Sequence, residues 1–384
     1  MKERYYTVAK TITRWKIDNP FENWLGGKAD KSLFWKRLYV LYYRVFDGEY
    51  YKKGLPYIEK EISKQAHGAE ALEQVGGGIL RLDMIYSLHR FDVSFEEYFI
   101  FKFYDLNADG RKKFNTLKMQ YGYCELVNDP CIRELFEDKG KCYELFKPYY
   151  KRDLLVVTKR EDEPKLIRFI EQHSSFIYKP LNGHSGMGIN IYRDCDSKND
   201  AFIEELMSQS NGKFVVEELI NQAPEMAALH TESINTIRIA TFVIKQDVVI
   251  LGTALRVGRG IANVDNAGAG GLYAGVDSEQ GVVNSIARDN IGHTCLRHPD
   301  TGVIFPGYVI PEWNKAIAMV KQMATTVKGA TMISWDLACS DKGWLMIEGN
   351  DVGEAYLLQA PLQQPIKQKI IEHIDDFMKS ISQE

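Results

Sequence analysis

No apolar run in the 384-residue sequence approaches the roughly 18 residues that a membrane-spanning helix needs, so the sequence predicts no integral membrane segment. The six cysteines form no C-x-x-C pair and follow no spacing typical of disulfide frameworks. The first residues, MKERYYTVAKTITRWK, lack the apolar core of a signal peptide. The net charge is only −4, so nothing attracts the chain to nucleic acid in general. We therefore expect a cytoplasmic protein without a nucleic-acid partner.

Hydrophobic residues make up 45% of the chain and charged residues 26%, which is enough material for about two or three domains with cores. Residues 1–125 are rich in aromatic and basic side chains at helical spacing, as in KSLFWKRLYVLYYRVFDGEYYKK. This spacing predicts a mostly helical N-terminal region. The aromatic and basic mixture suits an anionic substrate or a membrane surface, but we favour solvated Lys and Arg beside buried aromatic rings.

From residue 126 onwards, short strand-like segments alternate with amphipathic ones. EPKLIRFIEQH at 163–173 predicts a helix, and SSFIYKP predicts a strand that enters a glycine-rich loop. The later segments KFVVEELI, INTIRIATFVI and DVVILGTALRVG predict strands, and PIKQKIIEHIDDFMKS predicts a closing amphipathic helix. The expected fold class is therefore α+β.

The stretch YKPLNGHSGMGIN at 178–190 places three glycines within six positions. It does not match a P-loop, which requires Lys and Ser or Thr after the last glycine, and its glycine order differs from the dinucleotide fingerprint. Glycines still let consecutive amide groups converge on phosphate oxygens, aided by a hydroxyl and a lysine. A tight hairpin between two strands explains the loop equally well, and His184 has no evident role. The candidate phosphate contacts are Lys179, Gly183, Ser185, Gly186 and Gly188.

The segment ISWDLACSDKGWLMIEGN at 333–350 predicts a hairpin that turns at SDKG. Glu348 and Asn350 share one face of their strand because they are two residues apart. Asp336 lies opposite Glu348 on that face if the hairpin loop has an odd number of residues, and on the other face if the number is even. Two carboxylates and an amide oxygen at cross-strand distance are hard ligands that suit Mg²⁺. Solvent-facing charges on an edge hairpin are the alternative, which the apolar neighbours disfavour.

Arg238 and Arg256 each interrupt an apolar strand, in INTIRIATFVI and LGTALRVGRG. An arginine inside such a strand needs an anionic partner. A buried ion pair with a structural Asp or Glu meets this need, and so does a bound substrate. We favour a site for a transferred phosphate and an acyl oxygen, because the glycine-rich stretch VDNAGAGGLYAGVD, with Asp265 and Asn266, follows.

Taken in order, these segments resemble the ATP-grasp superfamily, and most closely the sugar-transfer-associated ATP-grasp proteins. The resemblance covers residues 126–384. No single segment decides it, but six of them occur in the right order. They are DKGKCYELFKPYY, YKPLNGHSGMGI, VVEELI, SINTIRIAT, ALRVGRGIANVDNAGAGGL and ISWDLACSDKGWLMIEGN.

The resemblance implies an ATP-grasp fold, in which α+β subdomains at 126–213 and 214–384 clasp ATP, preceded by the helical region 1–125, which would help to bind the acceptor. It implies that Asp336, Glu348 and Asn350 hold Mg²⁺. Arg238 and Arg256 would act as the catalytic pair beside the γ-phosphate and the acyl phosphate. The implied nucleotide contacts are Lys139, or Lys141 in a shifted register, with Lys179, the flap residues Gly183, His184, Ser185, Gly186 and Gly188, the adenine hinge Glu217, Glu218, Leu219 and Ile220, and Glu225 at the ribose.

The implied activity is that of a Mg²⁺- and ATP-dependent ligase that joins a small-molecule carboxylate to an amine or related nucleophile through an acyl phosphate. The resemblance further implies a sugar or amino-acid acceptor, a role in surface-polysaccharide assembly, and peripheral association with the enzymes of that assembly. Two alternatives stay open. One is a kinase acting on a small hydroxyl or carboxylate substrate, and the other is a noncatalytic nucleotide-binding module that recruits glycosyltransferases.

Overall fold

The N-terminal region is helical, as its residue spacing predicts. The computed structural model describes residues 19–46, 48–65, 71, 73, 75–181, 188–262 and 264–382. The helices of this region are α1 (Pro20–Ala29), α2 (Leu33–Phe46), α3 (Gly48–Lys64), α4 (Gly77–Phe91), α5 (Phe95–Ile100), α6 (Ala108–Arg111) and α7 (Leu117–Val127). Within the described residues, no helix combines the length and the apolar character that crossing a membrane demands. All six cysteines are free thiols.

Tyrosines whose hydroxyl groups bind buried carboxylates build much of the core of the helical region. Tyr39 and Tyr43 donate to Glu22 Oε1 at 2.6 and 3.2 Å, and Tyr98 donates to Asp83 Oδ2 at 2.6 Å. Each ring therefore buries apolar area without leaving its hydroxyl unpaired. The expected burial of aromatic rings holds for these tyrosines, whereas several other aromatic side chains of α1 and α2 are exposed.

The rest of the chain forms two antiparallel sheets with helices packed against them. The smaller sheet has the order β1-β4-β2-β3, with β1 (Leu154–Val157), β2 (Phe176–Pro180), β3 (Asn190–Tyr192) and β4 (Phe214–Glu218). The larger sheet has the order β11-β10-β5-β6-β7-β8-β9, with β5 (Thr236–Ile244), β6 (Asp247–Val257), β7 (Leu272–Gly275), β8 (Ala287–Arg288), β9 (Thr294–Cys295), β10 (Met332–Ser340) and β11 (Gly343–Asn350). The accompanying helices are α8 (Pro130–Glu137), α9 (Lys139–Tyr150), α10 (Glu163–Gln172), α11 (Asp200–Ser208), α12 (Pro224–Ala227), α13 (Trp313–Thr326), α14 (Tyr356–Gln359) and α15 (Lys367–Ser382).

The glycine-rich stretch joins two neighbouring antiparallel strands, β2 and β3. The hairpin interpretation and the phosphate-loop interpretation of this stretch are therefore compatible. Gly188 has a φ of +74°, and a Cβ atom there would lie 2.9 Å from Pro180 Cγ, so both backbone and space favour glycine. The remaining loop residues predicted to contact phosphate lie outside the described residues; they are Gly183, His184, Ser185 and Gly186.

The two faces of the larger sheet differ in chemistry. On β5, Ile237 and Ile239 join an apolar core with α8, α9 and α13, as does Trp335 of β10. Successive side chains on a strand alternate between faces, so Arg238 lies on the opposite face. Arg256 shares that face, because it pairs with a residue two positions before Arg238. The expected strands thus place both arginines on one polar face.

The chain crosses from the smaller sheet to the larger one directly after β4. The expected subdomain boundary after residue 213 falls just before this strand, which pairs with both β1 and β2. The smaller sheet therefore extends to Glu218. Gln222 then forms a bridge with Ser340 of the larger sheet, so residues 219–221 make the crossing.

Candidate active site between the two sheets

A β-bulge aligns the two carboxylates of the predicted hairpin. Ser340 pairs with Gly343, so the connecting loop has two residues, an even number. A regular ladder would then turn Asp336 and Glu348 to opposite faces. The register shifts between Asp336 and Leu337, and Ile347 becomes the extra residue, so Asp336 lies opposite Glu348 after all. The bulge, rather than an odd loop, creates the expected pair.

Asp336 holds both buried arginines of the polar face. Its Oδ1 accepts a hydrogen bond from Arg238 Nε at 2.7 Å, and its Oδ2 accepts from Arg238 Nη2 at 2.6 Å and Arg256 Nη1 at 2.7 Å. Burial alone would raise the pKa of Asp336, but the two guanidinium groups outweigh burial and lower it to about 2. The arginines therefore do form a buried ion pair, and their partner is the acid that the sequence marks as a metal ligand.

Asp265 fixes the other side of Arg256. Its Oδ1 accepts from Arg256 Nη2 at 3.0 Å, while its Oδ2 accepts from the Thr236 amide at 3.0 Å and from the Thr236 hydroxyl. A Cβ atom on Gly271 would lie 2.2 Å from the Asp265 carbonyl oxygen, so the glycine-rich stretch must fold tightly here. The sequence drew attention to Asp265 without giving it this positioning role.

Glu348 and Asn350 extend the polar face beyond the arginine pair. Glu348 keeps solvent access, yet the protein atoms around its carboxyl group and the neighbouring Asp336 raise its pKa. The two residues face each other across the hairpin and their pKa values shift in opposite directions, as expected for a pair that shares one proton or one cation. The buried Nδ2 of Asn350 has no hydrogen-bond partner among the described residues.

The smaller sheet contributes a second charged cluster, centred on Glu217. Lys179 Nζ lies 2.7 Å from Glu217 Oε1, and Arg152 donates to Oε2 through Nε at 2.9 Å and Nη2 at 2.7 Å. Burial opposes ionisation of Glu217, but these cations lower its pKa to about 2. Arg152 Nη1 also donates to the Met346 carbonyl of the larger sheet at 2.6 Å. Sequence reasoning missed Arg152, because it stands in the charged run KRD, which gives no sign of burial.

Lys139 brings the two clusters into electrostatic contact. Its Nζ donates to the Leu181 carbonyl at 3.0 Å, next to the glycine-rich stretch. Burial and the Lys179 ammonium lower the pKa of Lys139, against the opposing attraction of Glu348 and Glu217. One lysine therefore senses charges from both sheets, so the phosphate-binding and metal-binding candidates lie near one another where the sheets meet; we call this region the cleft.

Residues 118–376 match a family model described as sugar-transfer associated ATP-grasp. The chain belongs to this ATP-grasp family. The match confirms the expected family and the ATP-grasp fold, with its helical N-terminal region, and it supports the expected class of enzyme, an ATP-dependent ligase. A comparison with curated proteins finds no match.

The chain is also similar, at low sequence identity, to several solved ligase structures. VanG D-Ala:D-Ser ligase from Enterococcus faecalis is 14% identical, with a TM-score of 0.43 over 67% of this chain and 68% of that one. The ATP-grasp ligase PsnB with its minimal precursor is 13% identical, with a TM-score of 0.41 over 68% and 69%. D-Alanine-D-Alanine ligase from Helicobacter pylori is 12% identical, with a TM-score of 0.37 over 64% and 61%. Such distant likeness says nothing about the substrates of this chain.

Lys139 and Lys141, which the resemblance implies as alternative phosphate contacts, lie in different environments. Lys141 is exposed and pairs with Glu134 at 2.5 Å on the outer side of α8 and α9. It is two residues from Lys139, and residues two apart on a helix do not share a face. Lys139 therefore faces the cleft, and Lys141 does not join the site.

The residues predicted to contact the adenine and the ribose also lie in different environments. Glu217 is the counter-ion of Lys179, while Glu218 points the other way and contacts Lys342 Nζ at 2.8 Å. Leu219 and Ile220 are half-buried, and their backbone groups make no hydrogen bond to any residue that the structure describes. Glu225 is exposed on α12, where its carbonyl accepts from the Tyr308 hydroxyl. Glu217 and Glu218 are thus engaged in ion pairs with lysines, whereas the backbone N–H and C=O groups of residues 219–220 are available to hydrogen-bond a nucleotide base.

Proposed function

We propose that the protein is a Mg²⁺- and ATP-dependent ligase, which converts a small-molecule carboxylate to an acyl phosphate and couples it to an amine or related nucleophile. The observation that carries this proposal is the convergence of Lys179 of the smaller sheet and Lys139 of α9 with the carboxylate and arginine network of the larger sheet. A carboxylate becomes reactive once its oxygen is phosphorylated, so such an enzyme chiefly aligns groups, balances charge and excludes water.

In this proposal, ATP binds in the cleft with its phosphates against Lys139 and Lys179. Lys179 is held ready by Glu217 at 2.7 Å, and Lys139 carries a lowered pKa that an added phosphate charge would offset. The glycine-rich stretch 183–188 would cover the phosphates as a flap. The unpaired backbone groups of Leu219 and Ile220 would meet the edge of the adenine.

The hairpin residues fit a divalent cation. Glu348 has a raised pKa that a cation would reverse, and rotating the Asn350 amide by half a turn places its oxygen where the unpaired nitrogen now lies. Asp336 would join Glu348 and Asn350 as a ligand or hold the arginines beside the ion. When bound, Mg²⁺ supplies neutralisation of phosphate charge. The residues themselves keep that charge in a fixed place.

Arg238 and Arg256 are proposed to stabilise the transferred phosphate and the acyl oxygen. Asp336 and Asp265 fix the two guanidinium planes, so little reorganisation is needed when charge develops. Among the described residues, Arg238 Nη1 has a single ionic contact, with Glu354 at 3.7 Å, which leaves a donor for an incoming oxygen.

Arg288 marks where the carboxylate substrate would lie. Arg256 pairs with Tyr273 and Tyr273 with Arg288, so Arg288 is on the same face, two strands or roughly 10 Å from Arg256. It is half-buried, its Nε donates to the Pro361 carbonyl at 3.2 Å, and it forms no ion pair with a described carboxylate. Burial lowers the pKa of Arg288, which a substrate anion would offset. The family description favours a saccharide conjugate.

The test is ADP release from ATP and Mg²⁺ with a panel of uronic acids, amino acids and amines. We expect ADP release that depends on a carboxylate, and a product whose mass equals that of the two condensed substrates. Arg288→Gln should raise the KM for the carboxylate without changing ADP affinity. A product that gains only a phosphoryl group would replace the ligase with the kinase, and the absence of turnover with any carboxylate would refute the proposal.

A further inference from the structure

Helices α1 and α2 present aromatic side chains to solvent. The exposed fractions are 54% for Phe21, 50% for Trp24 and 63% for Phe34. Leu41 and Val45 on α2 are also exposed, at 51% and 69%. Single exposed apolar residues are ordinary on a protein surface, whereas a continuous group of them marks an interaction site. These side chains would mark such a site if they form one continuous surface.

Ring contacts join these side chains into one patch. The centroids of Phe21 and Trp24 are 5.8 Å apart, those of Trp24 and Trp35 are 5.4 Å apart, and those of Trp35 and Phe34 are 5.5 Å apart. Tyr42 meets Phe21 at 5.8 Å on the other side. We call this continuous surface the aromatic patch. The sequence favoured burial of aromatic rings; Trp35 and Tyr42 are half-buried, whereas Phe21, Trp24 and Phe34 depart from that expectation.

Positive charges lie on the same helix faces as the aromatic patch. Lys28 follows Trp24 by four residues on α1, and Arg37 lies between Phe34 and Leu41 at three and four residues on α2. Both cations are exposed, and neither forms an ion pair within the described residues. The patch thus combines aromatic rings with uncompensated positive charge.

Acidic side chains between residues 19 and 46 are turned inward. The two that occur there are Glu22, which is fully buried under two tyrosine hydroxyls, and Asp30, which pairs with Arg90 at 3.0 Å and with Lys112 at 2.9 Å. Neither carboxylate offsets Lys28 or Arg37 at the surface. A partner that is apolar enough to accept the rings and negatively charged would complement this face.

We propose that the aromatic patch binds peripherally to the surface of an anionic lipid bilayer. Tryptophan, tyrosine and phenylalanine rings suit the boundary between headgroups and acyl chains, and exposed Lys and Arg are attracted to anionic headgroups. The binding is reversible and superficial, because two short helices supply only one apolar face. This surface is independent of the cleft and of the reaction proposed for it.

The test is co-sedimentation of the full chain with vesicles of phosphatidylcholine alone, or mixed with phosphatidylglycerol. We expect binding to the mixed vesicles that weakens as salt rises. Trp24→Ser with Phe34→Ser should lower binding by at least about tenfold, and Lys28→Glu with Arg37→Glu by a similar factor. The matched controls are Tyr121→Ser, an exposed aromatic on α7, and Lys321→Glu, an exposed lysine on α13; both should bind as the parent chain does.

Three results would overturn the proposal. The first is equal sedimentation with neutral and mixed vesicles, and the second is binding that the patch variants leave unchanged. The third is a concentration-dependent dimer in light scattering that Phe34→Ser abolishes, because a second copy of the chain would then cover the patch. Unchanged melting temperatures and unchanged stabilisation by ADP with Mg²⁺ would show that the variants are folded.

Discussion

The smaller and larger sheets each bury a carboxylate against arginine, but with opposite balances of charge. Around Glu217 of the smaller sheet, the cations outnumber the single acid, since Arg152 and Lys179 both contact it. On the larger sheet, the acids outnumber the two arginines; they are Asp265, Asp336 and Glu348. We call the cluster around Glu217 the positive wall, and its excess of cations suits phosphate. We call the cluster around Asp336 the negative wall, and its excess of carboxylates suits a metal ion. The charge distribution across the cleft thus matches the Mg²⁺–ATP complex that we propose as its ligand.

The substitution Asp336→Asn should have the largest effect on the negative wall. Arg238 and Arg256 would stay buried without the carboxylate that now holds both, and breaking such a pair costs about 3–5 kcal/mol. We expect a loss of that size in the free energy of unfolding, measured by urea denaturation at neutral pH. Glu348→Gln is the matched control, because it removes the neighbouring charge but keeps the Asp336 contacts. Equal losses in the two variants would contradict the assignment of Asp336 as the arginine partner.

Acid pH should weaken both walls together. The pKa values of Asp336 and Glu217 are lowered to about 2 from ordinary values of 3.8 and 4.5. A lowered pKa adds stability that is present above the unfolded value and lost as pH falls through the folded one. We expect each group to remove roughly 2–3 kcal/mol of unfolding free energy between pH 5 and pH 2. A flat profile over that range would contradict both ion clusters.

Glu348→Gln tests the negative wall as a metal site. We expect the affinity for ADP in the presence of Mg²⁺ to fall at least about tenfold, the loss seen even for groups that only support a ligand. The readout is isothermal titration calorimetry with ADP. Affinity for ADP without Mg²⁺ is the internal control and should hardly change. Equal losses with and without the ion would mean that Glu348 supports the fold rather than the cation.

Lys179→Met tests the positive wall, with Lys141→Met as its matched control. A charged hydrogen bond to phosphate contributes about 1.5–3 kcal/mol, so the affinity for ADP should fall about tenfold or more in the first variant. Lys141 is exposed and paired with Glu134, and such surface pairs contribute at most about 1 kcal/mol. Equal ADP affinities of the two variants would contradict the assignment of Lys179, and not Lys141, to the phosphate-binding site.

Local sequence patterns predicted the strands, the closing helix and the hairpin, because alternation and helical spacing are properties of neighbouring residues. The partner of each charge depends on pairing between distant segments. Lys179 meets Glu217 because β2 pairs with β4, and Arg238 meets Asp336 because β5 pairs with β10. The bulge at Ile347 had no sign in the sequence, since the residue is neither glycine nor polar. The order of motifs singled out residues that the structure brings together, but it could not distinguish a metal ligand from the partner of an arginine.

Arg152 ties the two walls together at one edge of the cleft. Its guanidinium contacts Glu217 of the smaller sheet and the Met346 carbonyl, one residue before the bulge in the larger sheet. Any opening of the cleft that keeps both contacts must turn about this side chain. Arg152 would in this sense act as the pivot between the two sheets.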